Sequence, residues 1–241
     1  MPRSMLIGRS LWAVAALSLS TLASGLFAGA ASAVTDFTET FDTDASNWLD
    51  GGSLAPTYYA SGGIGDSGYI SYEAPSFNSG TGGFGAPLNL MFRGNASNGA
   101  SGGAFVGDWL ADGVLTFSVS VRHDNDTALN LYTRIAGFGG AGASLASDPL
   151  YVLAPNTWTT ITIPITDTNP PFSSYGSSTF AGVFSNVQNL QIGLYLPANT
   201  DFDGLTMDLD DVGITVIPEP STATLLGLGL TLVAATRRRA H

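Results

Sequence analysis

Carboxylates are concentrated around the last strand-like segment of the chain. Five aspartates lie there: Asp201, Asp203, Asp208, Asp210 and Asp211. Alternation along this segment predicts that Asp210 shares a face with Val212 and Ile214 and points inward or to the rim. An inward carboxylate needs a partner. Such hard oxygen ligands favour calcium, and a solvated acidic rim is the alternative interpretation.

The residues needed for hydrolytic catalysis are sparse. The chain has no cysteine and no Gly-x-Ser-x-Gly motif. His123 is the only histidine before the C-terminal residue, and its position beside Asp124 at a strand end indicates a solvated turn. Glycosidases use two carboxylates, but Glu39 and Glu73 are the only glutamates between residues 34 and 217. We therefore expect a protein that is not an enzyme.

Aromatic side chains offer a different chemistry, because their faces can stack on sugar rings. The candidates are Trp48, Tyr58, Tyr59, Trp109, Tyr132 and Tyr151. Most aromatic residues of a β-sandwich only pack the core, and we assign Trp158, at a strand start, to it. In the pair Tyr58-Tyr59 the two rings must point to opposite faces, so one of them is expected to be exposed.

The charge of the chain restricts its partners. Between residues 34 and 217 there are 18 acidic residues and three arginines, a net charge of −15, and the chain has no lysine. Such a surface repels phosphate backbones, so we expect no nucleic-acid partner. It attracts divalent cations and cationic groups.

The elements that would carry these residues are strands. Residues 114–121 alternate apolar and small polar side chains, and residues 129–135 repeat this pattern after a turn at 124–126, which predicts a hairpin. Residues 158–165, 190–196 and 205–217 are further strand-like runs, and no sustained helical period occurs. The sequence therefore predicts an all-β, two-sheet sandwich over residues 34–216.

The N-terminal 33 residues have the three parts of a secretory signal peptide. Arg3 and Arg9 precede an apolar run over residues 11–27, and Ala31 and Ala33 form a small-x-small cleavage box. This order predicts an N-terminal signal helix, export, and a mature chain that starts at Val34.

The C-terminus, residues 217–241, has an equally ordered pattern. Pro218, Glu219 and Pro220 end the last strand-like run, because two prolines permit neither a ladder nor a helix. Fifteen uncharged residues, 222–236, follow, and the basic tail is Arg237, Arg238 and Arg239. A helix of fifteen residues spans about 22 Å. The segment therefore predicts a short transmembrane helix that ends at arginines on the cytoplasmic side of the membrane.

These three parts resemble the PEP-CTERM sorting signal, a family also known as the ice-binding protein C-terminal domain. The resemblance implies processing near Pro218-Glu219-Pro220 by an exosortase at the inner membrane. It also implies delivery of the domain to the cell surface or to an extracellular matrix of exopolysaccharide. A permanent short membrane anchor is the alternative.

Scattered pieces of the middle domain resemble jelly-roll modules of the carbohydrate-binding and laminin-B-like types. The pieces are Glu39-Thr40-Phe41-Asp42 with Trp48, Asn156-Thr157-Trp158, and Leu209-Asp210-Asp211-Val212. The resemblance implies a structural calcium ion between the first and last strands. It places Glu39 and Asp210, together with Asp211, among the ligands.

Three functions are compatible with these patterns. The first is an exported structural or adhesive surface protein, which is the interpretation we adopt from the sequence. The second is a carbohydrate-binding module for the exopolysaccharide of the same cell, and the third is a glycan-active enzyme. The sequence does not single out a ligand-binding residue.

Overall fold

A computed structural model describes residues 33–74, 77–78, 90–137, 139, 141–145, 151–168, 171–175, 178–197, 201–202 and 204–217. The signal segment up to residue 32, the sorting motif and the terminal arginines all lie outside these ranges. The functions assigned to these segments from the sequence therefore remain predictions. In the described ranges, none of the helices has the length and apolar character needed to cross a membrane.

Short strands make up most of the regular structure of the described residues. They are β1 (Phe37–Glu39), β2 (Leu49–Asp50), β3 (Thr57–Tyr59), β4 (Tyr69–Glu73), β5 (Phe77–Asn78), β6 (Met91–Asn95), β7 (Val114–His123), β8 (Leu129–Gly137), β9 (Gly142–Leu145), β10 (Val152–Leu153), β11 (Thr159–Pro164), β12 (Phe172–Tyr175), β13 (Val187–Tyr195), β14 (Asp201–Phe202) and β15 (Thr206–Val216). One short helix, α1 (Phe180–Phe184), and 3-10 turns at Ile64–Asp66, Ala96–Asn98 and Ala100–Gly103 complete them.

The strands form two antiparallel sheets. Sheet A has the order β11-β7-β15-β4-β3, and β1 pairs with β15 beside β4. Sheet B has the order β12-β9-β8-β13-β6-β2, and β10 also pairs with β8. β5 and β14 form a separate two-stranded ladder. The all-β, two-sheet sandwich predicted from the sequence is confirmed.

The core lies between the facing sides of sheets A and B. Phe117, Val119 and Val121 of β7 are fully buried, as are Ile135 of β8 and Leu190 of β13. Each such side chain stabilises the fold by about 1.5–3 kcal/mol. Since these residues alternate with polar ones, the pattern also fixes which side chains point away from the core.

The predicted hairpin over residues 114–135 is wrong. β7 pairs with β11 and β15 in sheet A, whereas β8 pairs with β9 and β13 in sheet B. The turn at 124–126 therefore carries the chain from one sheet to the other. Both strands have an apolar face that the opposite sheet covers, so the alternation fixes which side faces the core and leaves the pairing partner open.

Candidate functional site

The outward face of sheet B holds a row of polar side chains that crosses three strands. In β8 the core residues Leu131 and Ile135 point inward, which turns Arg134 outward. The register pairs Arg134 with Gln191 of β13, and Gln191 with Arg93 of β6. We call these three residues the arginine row.

Hydrogen bonds fix one end of the arginine row. Arg134 donates from Nη1 to Oε1 of Gln191 at 3.1 Å and from Nε to the hydroxyl of Tyr175. Its guanidinium also lies 5.3 Å from the centre of the Tyr175 ring. Gly142 pairs with Tyr175 across β9 and β12, and a side chain there would collide with the tyrosine hydroxyl. The guanidinium is thus held in one orientation.

Two tyrosines lie beside the arginine row on the same face. Tyr132 and Tyr195 pack edge to face with ring centres 5.5 Å apart. Gly193 stands opposite Tyr132 in β8 and opposite Met91 in β6, and the lack of a side chain at Gly193 lets β6 approach closely there. Burial raises the pKa of both phenols, and the charge of Arg134 partly opposes the rise at Tyr132. Both hydroxyls therefore stay protonated at neutral pH and can donate hydrogen bonds.

Several of these outward side chains are shielded from solvent although they point away from the core. Gln191 and Tyr132 are each only 6% exposed. Buried polar atoms without a hydrogen-bond partner occur on this face, among them Nε of Arg93 and Oδ1 of Asn189. An unpaired buried donor or acceptor costs about 1–3 kcal/mol, so such atoms point to a ligand or ordered water that completes them.

The chemistry of the face is that of hydrogen bonding and stacking. At the outward positions that the structure describes in sheet B, no aspartate or glutamate occurs. The face offers guanidinium and phenol donors, amide donors and acceptors, and aromatic rings. These groups suit hydroxyl-rich ligands, and they lack the carboxylate pair that glycoside hydrolysis uses.

Asp210, the first of the predicted calcium ligands, lies on the outward face of sheet A. A β-bulge at Asp211, whose φ is +44°, shifts the register of β15, so that Asp210 pairs with the outward Ser120 while Val212 returns to the core. The turn over residues 63–67 covers Asp210. Oδ2 accepts hydrogen bonds from the amide of Ile64 and the hydroxyl of Ser67, both at 2.7 Å.

The other predicted calcium ligands are divided by the sheet. Asp211 adjoins Asp210, and burial together with the charges of Asp210 and Asp42 raises the pKa of its carboxyl group. Glu39 pairs with the inward Val212 and accepts the amide of Phe41 at 3.0 Å. The described residues contain no group of three or more histidine, cysteine, aspartate or glutamate side chains arranged to hold a metal. Calcium would need backbone carbonyls as well, and its binding stays a prediction.

A second aromatic group lies on the outward face of sheet A. Tyr59 stacks on Tyr69 with ring centres 4.8 Å apart, and Tyr69 meets Trp158 edge to face. Arg122 lies over the rings of Tyr69 and Trp158 and forms an ion pair with Asp208 at 2.7 Å. The assignment of Trp158 to the core is therefore wrong. The expected exposed member of the tyrosine pair is Tyr59.

Three other sequence candidates are buried. Trp48 and Trp109 belong to the core, where their indole nitrogens donate to Ser101 and to the carbonyl of Phe105. His123 is not a solvated turn residue, because it is 1% exposed and its Nε2 lies 3.1 Å from the carbonyl oxygen of Leu153. None of the three is available to a ligand.

The signal-cleavage candidates have only one described member. Ala33 is exposed, and Ala31 lies outside the described residues. Val34, the expected first residue of the mature chain, is buried, and its backbone nitrogen donates to Oδ2 of Asp112 at 2.8 Å.

Comparisons with known proteins give distant structural matches only. No protein-family model and no curated sequence matches the chain, so the PEP-CTERM resemblance stays a prediction. Among solved structures, the chain is similar to an exo-β-agarase (10% identity, TM-score 0.46), with 79% of this chain covered and about a quarter of the agarase, 26%.

Two smaller proteins of known structure match over most of their own length. One is a xylan-binding domain of carbohydrate-binding module family 22 (12% identity, TM-score 0.40), with 75% of this chain and 93% of that domain covered. The other is the family 11 module of the Clostridium thermocellum cellulase Lic26A-Cel5E (14% identity, TM-score 0.36), with 77% and 97% covered.

Sequence reasoning missed most of the sheet B face. Tyr132 was a stacking candidate, but Arg134, Gln191 and Arg93 were not singled out as a site. The available signal was that Arg134 stands at a polar position of the strand-like run over residues 129–135, whereas Arg93 lies in none of the strand-like runs. Their assembly into one row depends on the pairing of β6, β13 and β8, which no local pattern encodes.

Proposed function

We propose that the domain is a non-catalytic carbohydrate-binding module, and that polysaccharide binds on the outward face of sheet B. The observation that carries the proposal is the arginine row beside the tyrosine pair, on a face where buried polar atoms lack partners. Sugar hydroxyls can both donate and accept, so they suit a face that offers guanidinium donors together with amide donors and acceptors. Tyr195, which is more exposed than Tyr132, supplies an apolar ring face for a sugar ring.

Binding is favoured over a purely structural role because the face has features that stability alone does not explain. A structural surface gains nothing from unpaired buried polar atoms, which lower stability. Binding is favoured over catalysis because the described face lacks carboxylates. The charge of the domain also stays consistent with the absence of a nucleic-acid partner.

We further propose that the module is displayed outside the cell. The signal pattern and the Pro218-Glu219-Pro220 tail support export followed by exosortase sorting from the inner membrane to the surface or matrix. A binding module at that place would attach the protein to exopolysaccharide, which unites the adhesive and carbohydrate-binding interpretations of the sequence.

Affinity electrophoresis of the full-length chain in gels containing single polysaccharides tests the binding proposal. Arg134→Gln should weaken binding about 10- to 100-fold, since a hydrogen bond from a charged group is worth about 1.5–3 kcal/mol. The matched control is Arg122→Gln, which removes the same charge from the outward face of sheet A and should leave binding unchanged.

The two variants must first melt within a few degrees of the parent chain, so that a binding change is not a folding defect. Equal weakening by both substitutions, or failure of the parent chain to bind any polysaccharide tested, would show that the sheet B face is not the site.

A further inference from the structure

The outward face of sheet B is positively charged within an otherwise acidic domain. Residues 34–217 have a net charge of −15 and three arginines. Two of these arginines, Arg93 and Arg134, lie in the arginine row, at described positions without a neighbouring carboxylate on the face. The charge of the row is therefore opposite to that of the domain.

Within the part of the chain that the structure describes, no carboxylate forms an ion pair with either arginine of the row. The single ion pair among the described residues joins Arg122 to Asp208 on sheet A. Arg134 donates hydrogen bonds to the neutral side chains of Gln191 and Tyr175, and the buried Nε of Arg93 has no hydrogen-bond partner. A guanidinium held among shielded side chains loses hydration, which is costly unless an anion compensates it.

The spacing of the row sets the charge pattern that would suit it. Arg93 and Arg134 each stand one strand away from Gln191, so their backbones are about 10 Å apart across the strands. Planar guanidinium groups bind carboxylate and sulfate oxygens with paired hydrogen bonds. Asp208 and Asp210, on the outward face of the other sheet, repel an anion at this face only weakly, since packed sheets are about 10 Å apart and charges separated by more than about 8 Å are largely screened at physiological salt.

We propose that the ligand is an anionic polysaccharide, with carboxylate or sulfate groups bound by Arg93 and Arg134. Gln191 lies between the two charges and contacts the neutral hydroxyls of the intervening sugar. This inference rests on the proposed function and adds the chemical class of the ligand. An acidic matrix polymer binds a domain of net charge −15 only if the contact is confined to such a local positive face.

Polygalacturonate and its fully methyl-esterified form give a matched test, because they share one backbone and differ in charge. A sulfated galactan adds the second anion, and xylan and mixed-linkage glucan serve as neutral polymers. Affinity electrophoresis of the full-length chain is run in the presence of EDTA, which prevents calcium from bridging the acidic domain to a polyanion. We expect at least one anionic polymer to bind more than tenfold tighter than every neutral polymer.

The substitutions Arg93→Gln and Arg134→Gln keep hydrogen-bonding capacity and remove charge. They should each reduce the anion preference at least fivefold, because binding of the anionic polymers falls more than binding of the neutral ones, and Arg122→Gln should keep the preference. Tight binding of a neutral polymer with no anion preference overturns this inference and leaves the proposed function standing. Absence of binding to all five polymers overturns both, and binding of only the sulfated polymer assigns the anion as sulfate.

Discussion

Replacement of Asp210 by alanine tests the account of the buried acidic group on sheet A. The carboxylate accepts hydrogen bonds from the amide of Ile64, the hydroxyl of Ser67 and the amide of Asp211, each at 2.7 Å. Alanine would leave two donors of the covering turn without a partner, at about 1–3 kcal/mol each. Relief of the repulsion from Asp42 and Asp211 offsets part of this loss.

The net destabilisation by Asp210→Ala should be about 2–4 kcal/mol. For a domain of this size, that lowers the melting temperature by roughly 5–15 °C. The assay is calorimetric melting of the full-length chain at pH 7 in EDTA. Asp208→Ala is the comparison, since it removes a neighbouring carboxylate whose described partner, Arg122, is partly exposed, and it should cost less than Asp210→Ala because water can solvate the released guanidinium. A drop of less than 2 °C for Asp210→Ala would refute the reasoning.

The pH dependence of this group has a definite sign. Burial raises the pKa of Asp210 above its ordinary value of 3.8, and burial together with Asp210 and Asp42 raises that of Asp211. As the pH rises, the unfolded chain therefore loses the protons of these two carboxyl groups before the folded chain does. The protonated carboxyl groups contribute fully to the stability of the fold below pH 3.8, and this contribution is lost as the pH rises through their pKa values in the folded chain. In EDTA, Asp211→Asn should flatten the fall in melting temperature above pH 4, and an unchanged slope would contradict this.

The same melting experiment tests the predicted calcium site. Calcium bound at Asp210 and Asp211 would compensate their repulsion at pH 7, and a concentration of 100 times the Kd would add about 2.7 kcal/mol of stability. The parent chain should then melt higher in calcium than in EDTA, and Asp211→Asn should reduce that difference. A melting temperature that is indifferent to calcium would show that the calcium prediction is wrong.

Three further predictions follow from other contacts. Gly193→Ala should lower the free energy of unfolding by about 2 kcal/mol or more, measured by urea denaturation, because the alanine Cβ would collide with the carbonyl oxygen of Leu90. An unchanged urea midpoint would disprove the register of β6 and β13. If export leaves Val34 as the first residue, its ammonium would pair with Asp112, so Asp112→Asn should lower the melting temperature below pH 7 and have less effect above pH 8, where the ammonium deprotonates. Deletion of residues 218–241 should release the chain from the membrane, and mass spectrometry of the parent chain should find the tail cut near residue 218; retention of an intact tail would favour the permanent anchor.

The sheet architecture was predictable where the hydrophobic alternation is long. Residues 114–121 and 129–135 form β7 and β8 because each buries every second side chain. Their partners were not predictable, since an alternating pattern is satisfied equally by a hairpin and by strands in opposite sheets. The face on which Asp210 lies was not predictable either. The bulge at Asp211 inverts the alternation of β15, and the local sign of this bulge is the positive φ of Asp211.

The candidate binding site depended on pairing that sequence patterns do not contain. Arg134, Gln191 and Arg93 are separated by dozens of residues in the chain, and they meet through the ladders of β8, β13 and β6. Trp158 was misplaced for a related reason. Its strand start looks like a core position, yet Tyr69 of β4 and Arg122 of β7 hold the ring outside the sheet.

Hydrogen exchange of the full-length chain with and without a bound polysaccharide locates the binding face directly. The account predicts that bound polysaccharide slows exchange in peptides from β6, β8 and β13, and leaves those from β7 and β15 unchanged. Slower exchange confined to the sheet A strands, beside Tyr59 and Trp158, would contradict the assignment of the binding face to sheet B.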